Sequence, residues 1–336
     1  MKTFRLFLLL GAYFFRQGII ARRCGRPRDP SYSVITRRAI ARRSDPCPEH
    51  SEGSRLLRFA RNDHVCFVFP VITFVFFLFV FAKEGLSLSF LPEKPFPGTP
   101  VLVSLPTKAE KLIFLGKDFY AFAYQGKYYA LVAVPLGVKP GTYTLKIYGE
   151  KITSTKIKIY PKKYPTEHLK VPPKMIHYPQ EVIDRIKREV KAIKTTLSGF
   201  TPKPLFDGPF VWPAAGRLSS PFGFRRIYND VPKSPHSGID IAVPSGTPVK
   251  AANSGRVVLC GSFYLPGKIL IIDHGLGIYT VYCHLSKILV KEGDFVDKGQ
   301  KIALSGKSGR VTGPHLHFGV YVRGVKVDPK VLLEVF

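Results

Sequence analysis

The sequence predicts a mostly β protein in which two β regions are joined by a segment containing one amphipathic helix. Over residues 86–163, and again from residue 210 onward, short β-branched or aromatic runs alternate with turns rich in glycine, proline or lysine. Between these regions, residues 180–197 repeat apolar side chains at helical spacing, with lysine and arginine on the opposite face. We therefore expect strands to form the body of the protein and the helix to connect its two parts.

Residues 1–64 differ in composition from the rest of the chain. They contain thirteen Arg and one Lys, whereas residues 65–336 contain eight Arg and 29 Lys. One interpretation is a disordered basic arm that binds nucleic acid or anionic lipid. The other, which we favour, is that this leader is translated DNA upstream of the true start. The net charge of +28 indicates an anionic partner, but charge alone does not choose among nucleic acid, a membrane surface and an acidic wall polymer.

Residues 65–82 form an uninterrupted apolar run of eighteen residues without a charge. This length is at the lower limit for crossing a bilayer and is long for the core of a signal peptide. Val80-Phe81-Ala82 has the small-residue pattern that signal peptidase accepts. We expect a signal peptide or an anchor in the inner membrane, and hence a periplasmic or extracellular location in the cell envelope.

The first β region, residues 86–163, is predicted to be a small β-sandwich. Six short apolar runs follow one another with turns between them, at residues 101–105, 112–115, 119–124, 128–135, 141–148 and 152–160. No cluster of catalytic residue types occurs in this region, so we expect it to bind or position rather than to catalyse. Residues 164–205 are predicted to be a linker that includes the helix, and residues 208–336 to be the second domain.

Two groups of potential metal ligands lie in the second domain. They are His236 with Asp240, and the pair His315 and His317 in a His-x-His motif. Residues two apart on a strand point to the same face, so such side chains can converge on one centre. Histidine and carboxylate ligands favour zinc over calcium or magnesium, and a set of three leaves a coordination position open for catalysis.

Motifs along residues 219–329 carry a family resemblance. They are SPFGFR at 220–225, HSGID at 236–240, PSGTPV at 244–249, IDHG at 272–275, YCHL at 282–285, a Gly-bounded turn at 293–299, GPHLHF at 313–318 and VDP at 327–329. In this order they resemble the lysostaphin-type metallopeptidases, the M23 or LytM family.

The resemblance implies a site, a fold and an activity. It implies one Zn²⁺ per chain held by His236, Asp240 and His317, with His315 and His284 beside the metal as catalytic residues. It also implies an antiparallel sheet of the duplicated hybrid motif type, and hydrolysis of peptide bonds in peptidoglycan cross-links by zinc-activated water. Residues 86–163 resemble the immunoglobulin-like domain that precedes the catalytic domain in some envelope peptidases. We expect a monomer.

A second function remains open within the same family. Some relatives lack metal ligands and act as catalytically silent LytM-type wall-binding proteins or as amidase activators. All five site residues are present here, so we favour the enzyme. A nucleic-acid partner is not expected, because no recognised binding module is visible. A phosphate loop and a serine-hydrolase elbow are also excluded by the sequence.

Two cysteines and two loops complete the sequence-based expectations. Cys260 and Cys283 should lie on strands that flank a third, too far apart for a disulfide. Strand alternation should turn Cys283 away from His284, which argues against a role as ligand. The loops at residues 228–235 and 261–267 depart from the family pattern, and both should border the substrate groove.

We predict that the exported protein begins near Lys83 or is anchored through residues 65–82, and that residues 1–64 are dispensable. The change from arginine to lysine and the cleavage pattern at Val80–Ala82 motivate this prediction. Amino-terminal sequencing of the native protein tests it. An intact leader whose deletion abolishes function would contradict it.

Overall fold

The computed structural model describes residues 87–170, 172, 178–232 and 234–336. The expectations for residues 1–64 and 65–82 lie outside this range. Within it, no helix is long and apolar enough to cross a membrane.

An antiparallel sheet of seven strands forms the amino-terminal part of the described residues, and we call it the N-terminal sheet. Its order is β1-β2-β5-β4-β3-β6-β7. The strands are β1 (Ser89–Leu91), β2 (Pro100–Leu105), β3 (Ala109–Phe114), β4 (Lys117–Tyr124), β5 (Lys127–Ala133), β6 (Gly141–Gly149) and β7 (Ile152–Ile159). Each of the six runs predicted from the sequence coincides with one of β2 to β7. The predicted domain boundaries and the immunoglobulin-like assignment stay predictions.

Strand β4 connects the two halves of this sheet. Its first residues pair with β3, with Phe119 opposite Leu112, and its last residues pair with β5, with Phe122 opposite Tyr129. Burial alternates in β3, at Leu112 and Phe114, whereas β4 buries Phe119 and Phe122 and β5 buries residues 130–133 without interruption. The buried face therefore carries an aliphatic and aromatic layer that packs against the rest of the chain.

The segment predicted to be a linker contains a strand and a helix. Strand β8 (Thr166–Leu169) pairs in parallel with β10 of the later sequence. Helix α1 (Gln180–Leu197) covers the range predicted from the apolar spacing. The helix ends at Ser198, followed by Gly199, and buries Leu197 against Leu259 and Ile271. The segment is thus a structural part of the second region rather than a simple spacer.

A second, ten-stranded sheet forms the carboxy-terminal part, and we call it the C-terminal sheet. Its main order is β17-β14-β15-β16-β19-β12-β9, with β13 paired to β18, β18 to β16, and β20 to β19. Strands β10 (Arg225–Tyr228) and β11 (Val231–Pro232) form a three-stranded sheet with β8. The strands of the C-terminal sheet are β9 (Arg217–Ser220), β12 (Ile239–Ala242), β13 (Pro248–Lys250), β14 (Gly255–Phe263), β15 (Gly267–Asp273), β16 (Ile278–Ile288), β17 (Phe295–Val296), β18 (Lys301–Ser305), β19 (Leu316–Val322) and β20 (Val325–Val327).

A short helix, α2 (Pro329–Val335), closes the chain. Asp328 caps its start, since the Asp328 carboxylate accepts a hydrogen bond of 3.1 Å from the backbone N–H of Lys330. The N–H of Asp328 itself donates to the carbonyl of Gly98, at 2.7 Å. The helix thereby joins the two sheets.

Aromatic side chains fill the contact between the N-terminal sheet and the carboxy-terminal residues. Phe122 of β4 lies 5.0 Å from Phe206 and 5.5 Å from the terminal Phe336, measured between ring centroids. The guanidinium of Arg323 donates to the carbonyl of Asp118 at 3.0 Å. Residues of both sheets share one buried core, and the described residues belong to one compact unit.

We predict that Phe122→Ala destabilises the C-terminal sheet although residue 122 lies in the N-terminal sheet. Removing a buried phenylalanine costs about 3–5 kcal/mol of the free energy of unfolding, and a shared core transmits this loss. Trp212 is the single tryptophan of the chain, so its fluorescence during urea unfolding reports on the carboxy-terminal part. Phe295→Ala is the control, because Phe295 is 51% exposed and should change stability by no more than about 0.5 kcal/mol. An unchanged Trp212 transition in Phe122→Ala would show that the two sheets unfold independently.

Candidate active site

A cleft of about 680 Å³ lies on one face of the C-terminal sheet. All five residues predicted from the sequence line it, namely His236, Asp240, His284, His315 and His317. The walls include both loops that were expected to border the groove, through Ser234 and Pro235 on one side and Leu265 and Pro266 on the other.

Three donor atoms converge at the bottom of this cleft. The Nε2 atom of His236 lies 3.0 Å from Oδ1 of Asp240 and 3.0 Å from Nδ1 of His317. The His317 Nδ1 atom lies 2.8 Å from the same carboxylate oxygen. His236 and Asp240 are buried, with 4% and 7% of their surfaces exposed.

Strand pairing explains this convergence. Asp240 on β12 is the direct cross-strand partner of His317 on β19. His236 approaches from the loop before β12, and Gly238 allows that loop to pass close to β19. A Cβ atom at residue 238 would lie 2.3 Å from the carbonyl oxygen of Phe318 and 2.9 Å from the His317 ring. A side chain at this position would therefore push the loop that carries His236 away from strand β19, which carries His317.

Backbone carbonyls fix which ring nitrogen three of the four cleft histidines present, namely His236, His284 and His315. Nδ1 of His236 lies 2.8 Å from the carbonyl oxygen of Pro221, so this nitrogen carries the proton and Nε2 is left as an electron-pair donor. Nδ1 of His315 is held in the same way by the carbonyl of Gly313 at 2.9 Å, and Nδ1 of His284 by the carbonyl of Ser308 at 3.0 Å. A neutral ring held so presents its Nε2 lone pair to the cleft.

An arginine that the sequence reasoning missed supports the cluster. Nη2 of Arg226 donates to Oδ2 of Asp240 at 3.0 Å and to the Ser220 hydroxyl at 2.8 Å. Its Nε donates to Glu167 at 3.3 Å, and strand β8 pairs Glu167 directly with Arg226 on β10. The family motif SPFGFR ends at Arg225, and Arg226 is the residue that follows it. In the sequence, only the alternation of side chains along β10 could have pointed to residue 226.

The buried carboxylate of Asp240 is stabilised in its charged form. Burial alone would raise its pKa, but the contacts with the His236 and His317 rings outweigh burial and hold the pKa well below its usual range. With Oδ1 facing the two imidazoles and Oδ2 facing Arg226, both oxygens have a partner. Burial lowers the pKa of His317, and the Asp240 carboxylate opposes that effect.

A β-bulge places His284 in the cleft and corrects the expectation for Cys283. Leu270 pairs with Tyr282 and Lys268 with Leu285, so β16 has one more residue than β15 at this point. His284 occupies the left-handed region, with φ of 62°. The expected alternation is therefore interrupted, and Cys283 and His284 both line the cleft. Burial lowers the pKa of His284 to about 3, with the neighbouring histidines His317 and His315 adding to this effect.

The remaining expectations for the cysteines hold in the structure. Strands β14, β15 and β16 form an antiparallel meander, and Cys260 and Cys283 are both free thiols. Burial raises the pKa of Cys283, which keeps this thiol protonated. The group of potential metal ligands found among the described residues consists of His236, Asp240 and His317 and does not include Cys283.

The two other histidines of the cleft lie beside the ligand cluster. The His315 Nε2 atom is 3.8 Å from Oδ1 of Asp240, and the rings of His284 and His315 are 4.8 Å apart between centroids. The ring centroid of His284 is 6.0 Å from that of His317. A further histidine, His274, lies elsewhere and is fully buried between the Ser254 carbonyl and the Thr280 hydroxyl, so its role is structural.

The donor set fits a single zinc ion. One carboxylate oxygen and two imidazole nitrogens lie 2.8–3.0 Å from one another, and moving them apart to about 3.3–3.6 Å would accommodate one tetrahedral ion with bonds of about 2.0–2.2 Å. The proton of His236 is held on the nitrogen away from the cluster, as a metal-binding histidine requires. Residues 236, 240 and 317 could thus hold the metal, with the cleft open on the side of His315 and His284.

Comparison with known proteins gives the family. The model of peptidase family M23 matches residues 234–329, which include all five residues of the site. A Pseudomonas aeruginosa protein described as a peptidase M23 has a crystal structure that is similar to this chain with a TM-score of 0.60 and 33% identity. The similarity covers 72% of this chain and 96% of that one. The chain belongs to peptidase family M23.

Two relatives with peptidase names are similar to about a third of the chain. The peptidoglycan DD-endopeptidase ShyA of Vibrio cholerae is 48% identical over 113 residues, which are 33% of this chain and 26% of ShyA. The DD-carboxypeptidase/endopeptidase Mpg of Neisseria meningitidis is 41% identical over 113 residues, which are 34% of this chain and 26% of Mpg. The match thus spans about a quarter of each relative's length.

We predict that Arg226→Met weakens the affinity of the full chain for Zn²⁺ by about 10- to 100-fold. A residue that hydrogen-bonds to the non-coordinating atom of a metal ligand typically contributes this much to the metal affinity. Arg226→Lys should give an intermediate affinity, because lysine keeps the charge but not the fork of donors. Competition with a chromophoric chelator measures the affinity. Arg225→Met is the control, since Arg225 lies on the same strand but does not line the cleft. Equal affinities for Arg226→Met and the wild type would exclude a supporting role for Arg226.

Proposed function

We propose that this protein is a zinc metalloendopeptidase that hydrolyses peptide bonds in peptidoglycan cross-links in the cell envelope. The observation that carries the proposal is the convergence of one carboxylate oxygen and two imidazole nitrogens, with two further histidines beside them in an open cleft. The peptidoglycan substrate is supported by the name of the relative ShyA, a peptidoglycan DD-endopeptidase that is 48% identical to this chain over 113 residues. Residues 65–336 alone carry 37 Lys and Arg against 18 Asp and Glu, a net charge of +19 that suits an anionic polymer as substrate.

His236, Asp240 and His317 are assigned as the zinc ligands. When bound, zinc supplies Lewis-acid polarisation of the scissile carbonyl and a more acidic water. Arg226 and the carbonyl of Pro221 keep the ligands oriented through the atoms that face away from the cluster. Holding the ligands in place before the substrate arrives reduces the reorganisation required during the reaction.

His315 is assigned as the base that takes a proton from the attacking water. Its Nε2 atom is an acceptor, because Nδ1 donates to Gly313, and it lies beside Asp240 at the ligand cluster. Hydroxyl addition to the carbonyl carbon and cleavage of the C–N bond then require the proton to reach the leaving amine. The position of His315 between the cluster and the open cleft supports that transfer.

His284 is assigned to stabilise the negative charge that develops on the carbonyl oxygen. In the resting neutral ring Nδ1 carries the proton and Nε2 is an acceptor, so His284 can donate toward the substrate only after it receives at Nε2 the proton that leaves the attacking water. The ring of His315, 4.8 Å away between centroids, is the neighbour with which it can share a proton through the substrate or a water. The two histidines therefore act as a pair.

We predict two classes of variant at the site. His236→Ala, Asp240→Ala and His317→Ala should lose zinc and activity together, because a site with two protein ligands holds the metal poorly. His315→Ala and His284→Ala should keep zinc but lose about 10²- to 10⁴-fold in rate, the usual contribution of acid–base assistance.

Zinc content by atomic spectroscopy and mass spectrometry of digested muropeptides measure both properties. His168→Ala is the control, since His168 is exposed and does not line the cleft. If His315→Ala or His284→Ala loses zinc as completely as His317→Ala, the division into ligands and catalytic residues is wrong. A wild-type protein that binds peptidoglycan and zinc but releases no fragments would instead support a catalytically silent binding protein or amidase activator.

A further inference from the structure

Two arginines line the cleft, and they differ in their partners. Arg226 is satisfied by Asp240, Glu167 and Ser220. Arg310 has no carboxylate partner within the described part of the chain; its guanidinium contacts a phenol oxygen and an aromatic ring. An arginine that is half-buried in a cleft without an anionic partner is available to an anion that enters the cleft.

The surroundings of Arg310 hold it in position. Its backbone N–H donates to the carbonyl of Leu265 at 3.0 Å, which ties its loop to the opposite hairpin. The guanidinium lies 5.5 Å from the ring centroid of Tyr228, within the range of a cation–π contact. Its Nη1 atom makes a long contact of 3.5 Å to the hydroxyl of Tyr178. A planar guanidinium fixed between two aromatic residues is well suited to receive a carboxylate.

The same loop also carries the catalytic geometry. The carbonyl of Ser308, two residues before Arg310, orients His284, and the carbonyl of Gly313, three residues after it, orients His315. Arg310 therefore belongs to a short segment that contacts both proposed catalytic histidines. An anionic group held by Arg310 would lie in the same cleft as the bond that is cut.

The proposed substrates contain such a group. In a DD cross-link, and also in a terminal DD dipeptide, the nitrogen that leaves is bonded to a D-configured carbon that bears a free carboxylate. This carboxylate distinguishes both bonds from an ordinary peptide bond within a chain, where the same carbon carries an amide. We propose that Arg310 binds the carboxylate on the leaving-amine side of the scissile bond and so determines specificity for DD bonds.

This inference rests on the proposed function. A pair of defined substrates distinguishes a failure of the inference from a failure of the proposed function. The first is a cross-linked peptide dimer with a carboxylate on the carbon next to the leaving nitrogen, and the second has the carboxylate converted to a primary amide. For the zinc-loaded full chain we expect kcat/KM to be about 10- to 100-fold higher for the carboxylate, the range typical of a hydrogen bond to a charged group. In Arg310→Gln the ratio of the two values should fall to about 1.

Two further variants test whether the preference for the carboxylate depends on the charge and the donor geometry of Arg310. Arg310→Lys should keep part of the preference, because it retains the charge but not the planar pair of donors. Arg225→Gln removes one positive charge outside the cleft lining and should keep the wild-type ratio. Zinc content and the thermal midpoint of each variant verify that it is folded, and the substrate pair with the wild-type protein tests the inference even if Arg310→Gln fails to fold.

The outcomes are distinct. A wild-type protein that cuts both substrates equally well would retain the proposed function and overturn the role of Arg310. Arg310→Gln with an undiminished preference for the carboxylate would overturn it as well. A zinc-loaded wild type that cuts neither substrate would overturn the proposed function and this inference with it.

Discussion

The antiparallel pairing of β12 with β19 is the constraint on which the site depends. It places Asp240 directly opposite His317, so that their side chains lie on the same face of the sheet and 2.8 Å apart. A shift of one residue in this register would turn one of the two side chains to the other face of the sheet. The close approach at Gly238 then brings His236 to the same point. The cluster thus depends on two features, the register of the β12–β19 pair and the absence of a side chain at Gly238.

A buried carboxylate imposes a second requirement, and the segment before the M23 domain helps to meet it. Removing one partner of a buried ion pair costs about 3–5 kcal/mol, because the remaining charge is left without compensation. Arg226 is the partner of Asp240, and Arg226 is itself paired with Glu167 on β8. Strand β8 lies outside the residues matched by the family model. The residues that support the site therefore extend beyond the domain that defines the family.

A β-bulge in strand β16 places His284, one of the two proposed catalytic residues, in the cleft. In a regular strand Cys283 and His284 would point to opposite faces, whereas the bulge and the positive φ of His284 bring both to the cleft. A left-handed conformation of a non-glycine residue is unfavourable, and such strain is found preferentially at functional positions. The hydrogen bonds that His284 donates from Nδ1 to the Ser308 carbonyl and from its backbone N–H to the Pro266 carbonyl hold the residue in that conformation.

The sequence by itself determined the mostly β character, the helix at Gln180–Leu197 and the five residues that meet in the cleft, because these follow from periodicity and from motifs of short range. It did not determine that Arg226 rather than Arg225 supports Asp240, that a bulge interrupts alternation at Cys283, or that Arg310 lacks an anionic partner. Each of these depends on contacts between residues far apart in the chain. Strand register, bulges and charge pairing are set by the packing of whole sheets, so only the tertiary structure decided them.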